Sequence, residues 1–222
     1  MDKPRLFATV LLTGSLVWLL GCSDNNNNHA QSTATPTSTA TRTPTATATR
    51  TPIETPAVPD NLKVPTGNKP FLVGHAKGTQ NYICLPSGEG FAWTFFSPQA
   101  TVFDDRQEQI ITHFLSPNPD ESDKPRPTWQ DSDDTSAVWG NAIASSSDPN
   151  FVAAGAIPWL LLQVVGSQEG PTGGETLTPT SYIQRVNTMG GVAPAGGCAQ
   201  STDVGSKALV AYTADYFFFE ED

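Results

Sequence analysis

Few side chains in this 222-residue chain combine the types and spacings that chemistry needs. An activated nucleophile would be the first arrangement to seek. Pro86-Ser87-Gly88-Glu89-Gly90 misses the GxSxG elbow by one residue, and no helical pattern follows it. His75 and His113 are the only histidines from Val58 onward, and neither stands at a spacing that pairs it with a Ser and an Asp. A metal site built from both histidines and a carboxylate has no ligand spacing to mark it. Asp131, Asp133 and Asp134 begin like a calcium loop but lack its Gly and distal Glu, so they read as a surface turn. No two carboxylates stand out as a glycosidase pair. No cofactor and no resident metal is expected.

Arg185 carries more weight. It sits beside Gln184 and Asn187 in an acid-rich domain. A guanidinium fork suits either a carboxylate ligand or an internal acid such as Asp215, and the internal ion pair is the favoured expectation. Trp129 falls in a polar stretch over residues 116–134, where an indole can stack on a sugar ring; Trp93, Trp139 and Trp159 fall in apolar runs and read as core. The candidate ligand-binding residues are therefore His113, Trp129, Gln184 and Arg185.

The three cysteines divide by position. Residues 6–20 are almost wholly apolar behind Lys3 and Arg5, the right length for a signal-peptide core and short for a membrane span. The run ends in Leu19-Leu20-Gly21-Cys22, which resembles the bacterial lipobox. Cys22 is expected to be lipidated and to become the new N-terminus. Cys84 and Cys198 remain, with no CxxC and no His-rich partner, and in an exported chain such a pair oxidises.

Residues 31–56 are built almost entirely from Thr, Ala, Ser and Pro, with Ala-Thr-Arg-Thr-Pro repeated. One Ile and no aromatic cannot offset chain entropy, so a disordered, partly polyproline stalk is expected. Three parts result: a lipoprotein signal peptide over 1–21, a lipidated cysteine and linker over 22–57, and one domain over 58–222. The formal net charge of the chain is -10. From Val58 onward eight Lys and Arg stand against nineteen Asp and Glu, a balance that disfavours nucleic acid and charge-driven adhesion to anionic lipid.

The elements that must position the candidates are short and extended. Residues 71–85 read as one long strand or a bent pair, with Leu72, Gly74, Ala76, Gly78, Gln80, Tyr82 and Cys84 on one parity and Gly78 as a warning of a bulge. Residues 91–96 and 100–103 read as two strands split at Ser97-Pro98; 108–115, 136–144, 157–165 and 182–188 as four more. The clearest covers 208–218, where Ala208, Val210, Tyr212, Ala214, Tyr216 and Phe218 alternate. Helical spacing is weak throughout. The expected fold is all-β: a single antiparallel β-sandwich or barrel-like domain with long loops.

Several of these residues carry a resemblance. Gln80-x-Tyr82-x-Cys84, Pro127-Thr128-Trp129, Ile157-Pro158-Trp159-Leu160-Leu161-Leu162, Tyr182-Ile183-Gln184-Arg185-Val186-Asn187-Thr188-x-Gly190-Gly191-x-Ala193-Pro194, Cys198 and Tyr212-Thr213-Ala214-Asp215-Tyr216 occur in this order. The chain thereby resembles a family of secreted bacterial and fungal proteins known as domain of unknown function 3455, from about residue 58 to 219. The resemblance implies a secreted β-rich domain and a Cys84–Cys198 pairing, and no established activity. Some fungal members carry a malate dehydrogenase label; here no strand is followed by GxGxxG and a helix. Where the family shows Asp-Gly-Ser after Pro-Thr-Trp, this chain has Asp131-Ser132-Asp133-Asp134.

The functional expectation is a lipid-anchored, extracytoplasmic protein on a bacterial membrane, presenting a disulfide-stapled β domain with a binding or structural role. Its partners would be the membrane through Cys22 and a cell-wall glycan or small ligand. The alternative is an extracellular enzyme, hydrolase-like or metal-dependent, whose site combines His113, Arg185 and acids from residues 116–134.

Overall fold

The computed structural model describes residues 52–222; the signal segment, the lipidation site at Cys22 and the part of the 31–56 stalk before residue 52 lie outside them. Eight strands follow one another: β1 (Asn68–Ser87), β2 (Gly90–Phe103), β3 (Gln109–Asn118), β4 (Lys124–Asp131), β5 (Ala137–Ser146), β6 (Trp159–Gln168), β7 (Thr180–Gly190) and β8 (Lys207–Glu221). Each pairs antiparallel with its neighbour in sequence, and β8 returns to β1, so the sheet closes into a barrel. Closure removes both sheet edges, which a chain of alternating strands must otherwise protect.

Alternation sorts the side chains. On β8, Tyr212, Ala214, Tyr216 and Phe218 point into the barrel and join Val102, Ile111, Trp129, Val138, Leu162 and Ile183. The opposite parity, Phe217 and Phe219, is buried too, because residues 52–67 lie across the outside of the wall. There Leu62 packs with Trp159, Leu161, Val186, Phe217 and Phe219. A strand covered on both faces reads as a continuous apolar run rather than as alternation, and this accounts for Phe217-Phe218-Phe219. Ile53 joins the outer cluster, so packed chain begins inside the expected 22–57 linker: its single Ile finds apolar surface to bury.

Several expectations are corrected. Residues 91–103 form one strand, because the ladder with β1 continues past Pro98 and absorbs an extra residue between the Tyr82–Phe95 and Asn81–Ser97 pairs. The expected bulge at Gly78 is absent; its register is regular. The glycine is there because a Cβ would stand 2.1 Å from the Gln99 carbonyl oxygen and 2.5 Å from Ala100 Cα. The polar loop over 116–134 is mostly sheet: β3 and β4 pair from Ile111–Asp131 to Asn118–Lys124, around a 3-10 turn at Pro119–Glu121. Pro117, Pro125 and Pro127 all stand within that ladder, where their lack of an N–H makes the strand hard to read.

Cys84 and Cys198 are bonded, with Cα atoms 5.5 Å apart and a sequence separation of 114. The bridge ties the end of β1 to the long β7–β8 connection. Trp93 Nε1 reinforces it by donating to the Gly196 carbonyl at 2.8 Å.

Candidate binding cavity

One end of the barrel is filled and the other is hollow. A cavity of about 340 Å³ opens at the end where β1 meets β2, β3 meets β4, β5 meets β6 and β7 meets β8. That is within the usual size of small-molecule sites. Its deep wall is aromatic. The ring of His113 (β3) lies on that of Trp129 (β4), with centroids 4.3 Å apart and planes 16° from parallel. Tyr216 (β8) meets Trp129 edge-on at 5.4 Å, and Phe218 meets it from another side at 6.4 Å. Gly140 on β5 makes room for this indole; a Cβ there would stand 2.9 Å from Trp129 Cζ3. Tyr82, Phe95, Ile157 and Pro158 form the outer wall.

Among the described residues Arg185 is the one charged residue lining the cavity. It pairs with Tyr216 across β7–β8 and shares the inward parity of Ile183, whereas Gln184 and Val186 face out. Its Nη2 donates to the Pro158 carbonyl at 2.8 Å, and its Nε is buried without a partner. The expected ion pair with Asp215 does not form. Asp215 is on the outward parity of β8, where its carboxylate accepts from Asn187 at 2.8 Å and contacts His75 Nδ1 at 2.7 Å. Among the described residues Arg185 has no carboxylate partner.

His113 is buried at 2 % exposure, and its Nδ1 lies 2.8 Å from the Thr128 carbonyl oxygen. A carbonyl only accepts, so Nδ1 carries the hydrogen and Nε2 is left as a bare acceptor. Burial pushes the imidazole down to about 3, against the Thr128 hydrogen bond, with Arg185 adding to the depression. His113 is therefore neutral at any ordinary pH. Burial also raises the Tyr82 and Tyr216 phenols, with the Arg185 charge opposing it, and both remain protonated. Tyr82 donates to the Gly191 carbonyl at 2.7 Å. Two further donors on lining residues, Gln80 Nε2 and Trp129 Nε1, are buried without a partner. Such orphans are uncommon in a native structure.

The structure thus brings together His113, Trp129 and Arg185, three of the four candidates. Trp129 is on a strand rather than in a loop, at 1 % exposure, with one ring face against His113. Gln184 stands apart: its Nε2 donates to the Leu62 carbonyl at 2.7 Å on the outside of the wall, where it holds the N-terminal segment. The acids of residues 116–134 also lie elsewhere. Glu121 holds Arg126 through two hydrogen bonds, at 2.6 and 2.7 Å. Asp131 accepts from the Asp133 and Asp134 amides, and Asp134 from Ser136 and Thr176, so both fix turns at the filled end. No carboxylate lines the cavity among the described residues. The residues that sequence reasoning left out of the site are Gln80, Tyr82 and Tyr216. Their signal was parity: each alternates with a neighbour that faces the other way.

The geometry can enclose a small molecule against an aromatic wall, offer it one cation, and present a neutral acceptor at His113. It offers no nucleophile–base pair and no cluster of metal ligands among the described residues.

No curated protein and no solved structure matches this chain. A family model, described as a protein of unknown function (DUF3455), matches residues 65–220, from just before β1 to the end of β8. The match spans the whole barrel, including both bonded cysteines and every lining residue of the cavity, and the chain belongs to that family.

Proposed function

We propose that this protein is a surface-tethered binding protein whose barrel holds a small, largely apolar molecule in its hollow end. The observation that carries the reading is the cavity walled by His113, Trp129 and Tyr216. A barrel of this strand number has just enough interior to fill with side chains or to hold one small ligand. Here His113, Trp129 and Tyr216 fill the middle of the barrel and leave space between them and the mouth. Tethering draws its support from the sequence alone: the Leu-Leu-Gly-Cys run ending at Cys22 and the Thr/Pro-rich stretch after it. The enzyme alternative loses its acids, since Glu121, Asp131 and Asp134 serve turns and an ion pair outside the cavity.

The test is a thermal-shift and tryptophan-fluorescence screen of the full-length protein against small apolar and amphipathic molecules. Hits should raise the melting temperature and perturb tryptophan emission, and Ala142→Trp at the mouth should abolish both effects. Hits that bind the variant as well as the wild type would place the site elsewhere and overturn the reading.

A further inference from the structure

We infer that the cavity selects a small monocarboxylate with a flat apolar body, its carboxylate held by Arg185; this rests on the reading of the barrel as a binding cup. Four observations converge. Arg185 is the one charged group in the lining and has no carboxylate partner among the described residues. A guanidinium in an apolar wall is costly unless an anion compensates it. Its Nη2 donates to Pro158 O and its charge bears on the Tyr216 phenol beside it, two contacts that leave most of its five N–H donors without an acceptor. Its Nε is buried and unpartnered. A guanidinium only donates, the complement of an acceptor-only carboxylate.

The rest of the lining sets the remainder of the ligand. Leu160, Leu162, Ile157 and the aromatic wall offer contact area and, among the described residues, no second cation, so one negative charge is matched and two are not. The bare lone pair of His113 Nε2 repels an anion, which places the carboxylate on the Arg185 side and the apolar body against His113 and Trp129. Neutral His113 suits that role because it stacks without adding charge.

Calorimetric titration of the full-length protein with 2-naphthoate and with its neutral isostere 2-naphthamide tests this. The acid should bind about tenfold tighter or more, the usual worth of a charge-assisted hydrogen bond. Arg185→Met should bring the acid-to-amide affinity ratio to about one, and Arg185→Lys should retain part of the preference. If the methionine variant does not fold, the acid-to-amide ratio in the wild type decides the matter alone. Equal affinity for acid and amide would overturn the carboxylate assignment and leave the binding cup standing. Binding of neither would bring down both.

Discussion

His113 and Trp129 form a stacked pair inside the barrel, with the histidine hydrogen pinned to the Thr128 carbonyl. The pair behaves as one flat surface only while the imidazole is neutral. Protonation would put a cation in a dry wall that already contains Arg185.

The first prediction concerns that histidine. Its folded value lies near 3, below the ordinary 6.5, so its contribution to stability is complete above about pH 6.5 and is lost as pH falls towards 3. Nitrogen-15 NMR should show a protonated Nδ1 and a bare Nε2, unchanged between pH 7 and pH 5. An imidazolium signal for His113 at pH 5 would refute the assignment.

His75 should show the opposite sign. It lies between Asp215 and Asp105, at 2.7 and 2.9 Å, and its value is raised chiefly by the Asp215 hydrogen bond, against partial burial. A raised folded value means stability that is fully present below the unfolded value of about 6.5 and lost as pH climbs through the folded one. His75→Gln should therefore destabilise the protein in urea denaturation at pH 5.5 and do so less at pH 8.5. An equal loss at both would show that the two carboxylates do not act through the proton.

Removing the bridge should be costly. In the chain-entropy view, a cross-link between residues 114 positions apart contributes about 4–5 kcal/mol through the unfolded state. The double variant Cys84→Ala, Cys198→Ala should lose an amount of that order in chemical denaturation. A loss under about 1 kcal/mol would mean that Trp93 and the strand pairing hold the connection unaided.

The tether makes a separate prediction. Cys22→Ala should move the protein from the membrane fraction to the soluble fraction, because acyl chains supply the attachment. Continued detergent-dependent partitioning of the variant would contradict the anchor.

Much of the barrel was legible where one face repeats. The period-two run on β8 correctly gave Tyr212, Ala214, Tyr216 and Phe218 as a core face. β6 and β7 were likewise legible as extended runs over 157–165 and 182–188. Closure was not legible: it rests on β1 meeting β8, from opposite ends of the domain, and no local pattern separates that from a sandwich. β4 was missed because prolines hid it. The Arg185–Asp215 pair failed for a reason visible in the sequence: once Tyr216 faces inward, Asp215 must face outward. The facing of Arg185 was less accessible, since it depends on its register opposite Tyr216, just before a bulge in which Asn187 takes a positive φ of 51°.

The seam between β1 and β8 also fixes where the barrel can be handled. Asp222 donates its amide to the Gly67 carbonyl at 3.0 Å, so the end of the chain and the start of β1 leave side by side at the filled end. The cavity opens at the other. A dye, tag or display partner added after Asp222 is thus carried on the side away from the mouth, and immobilisation by that end leaves the cavity open to whatever is offered to it.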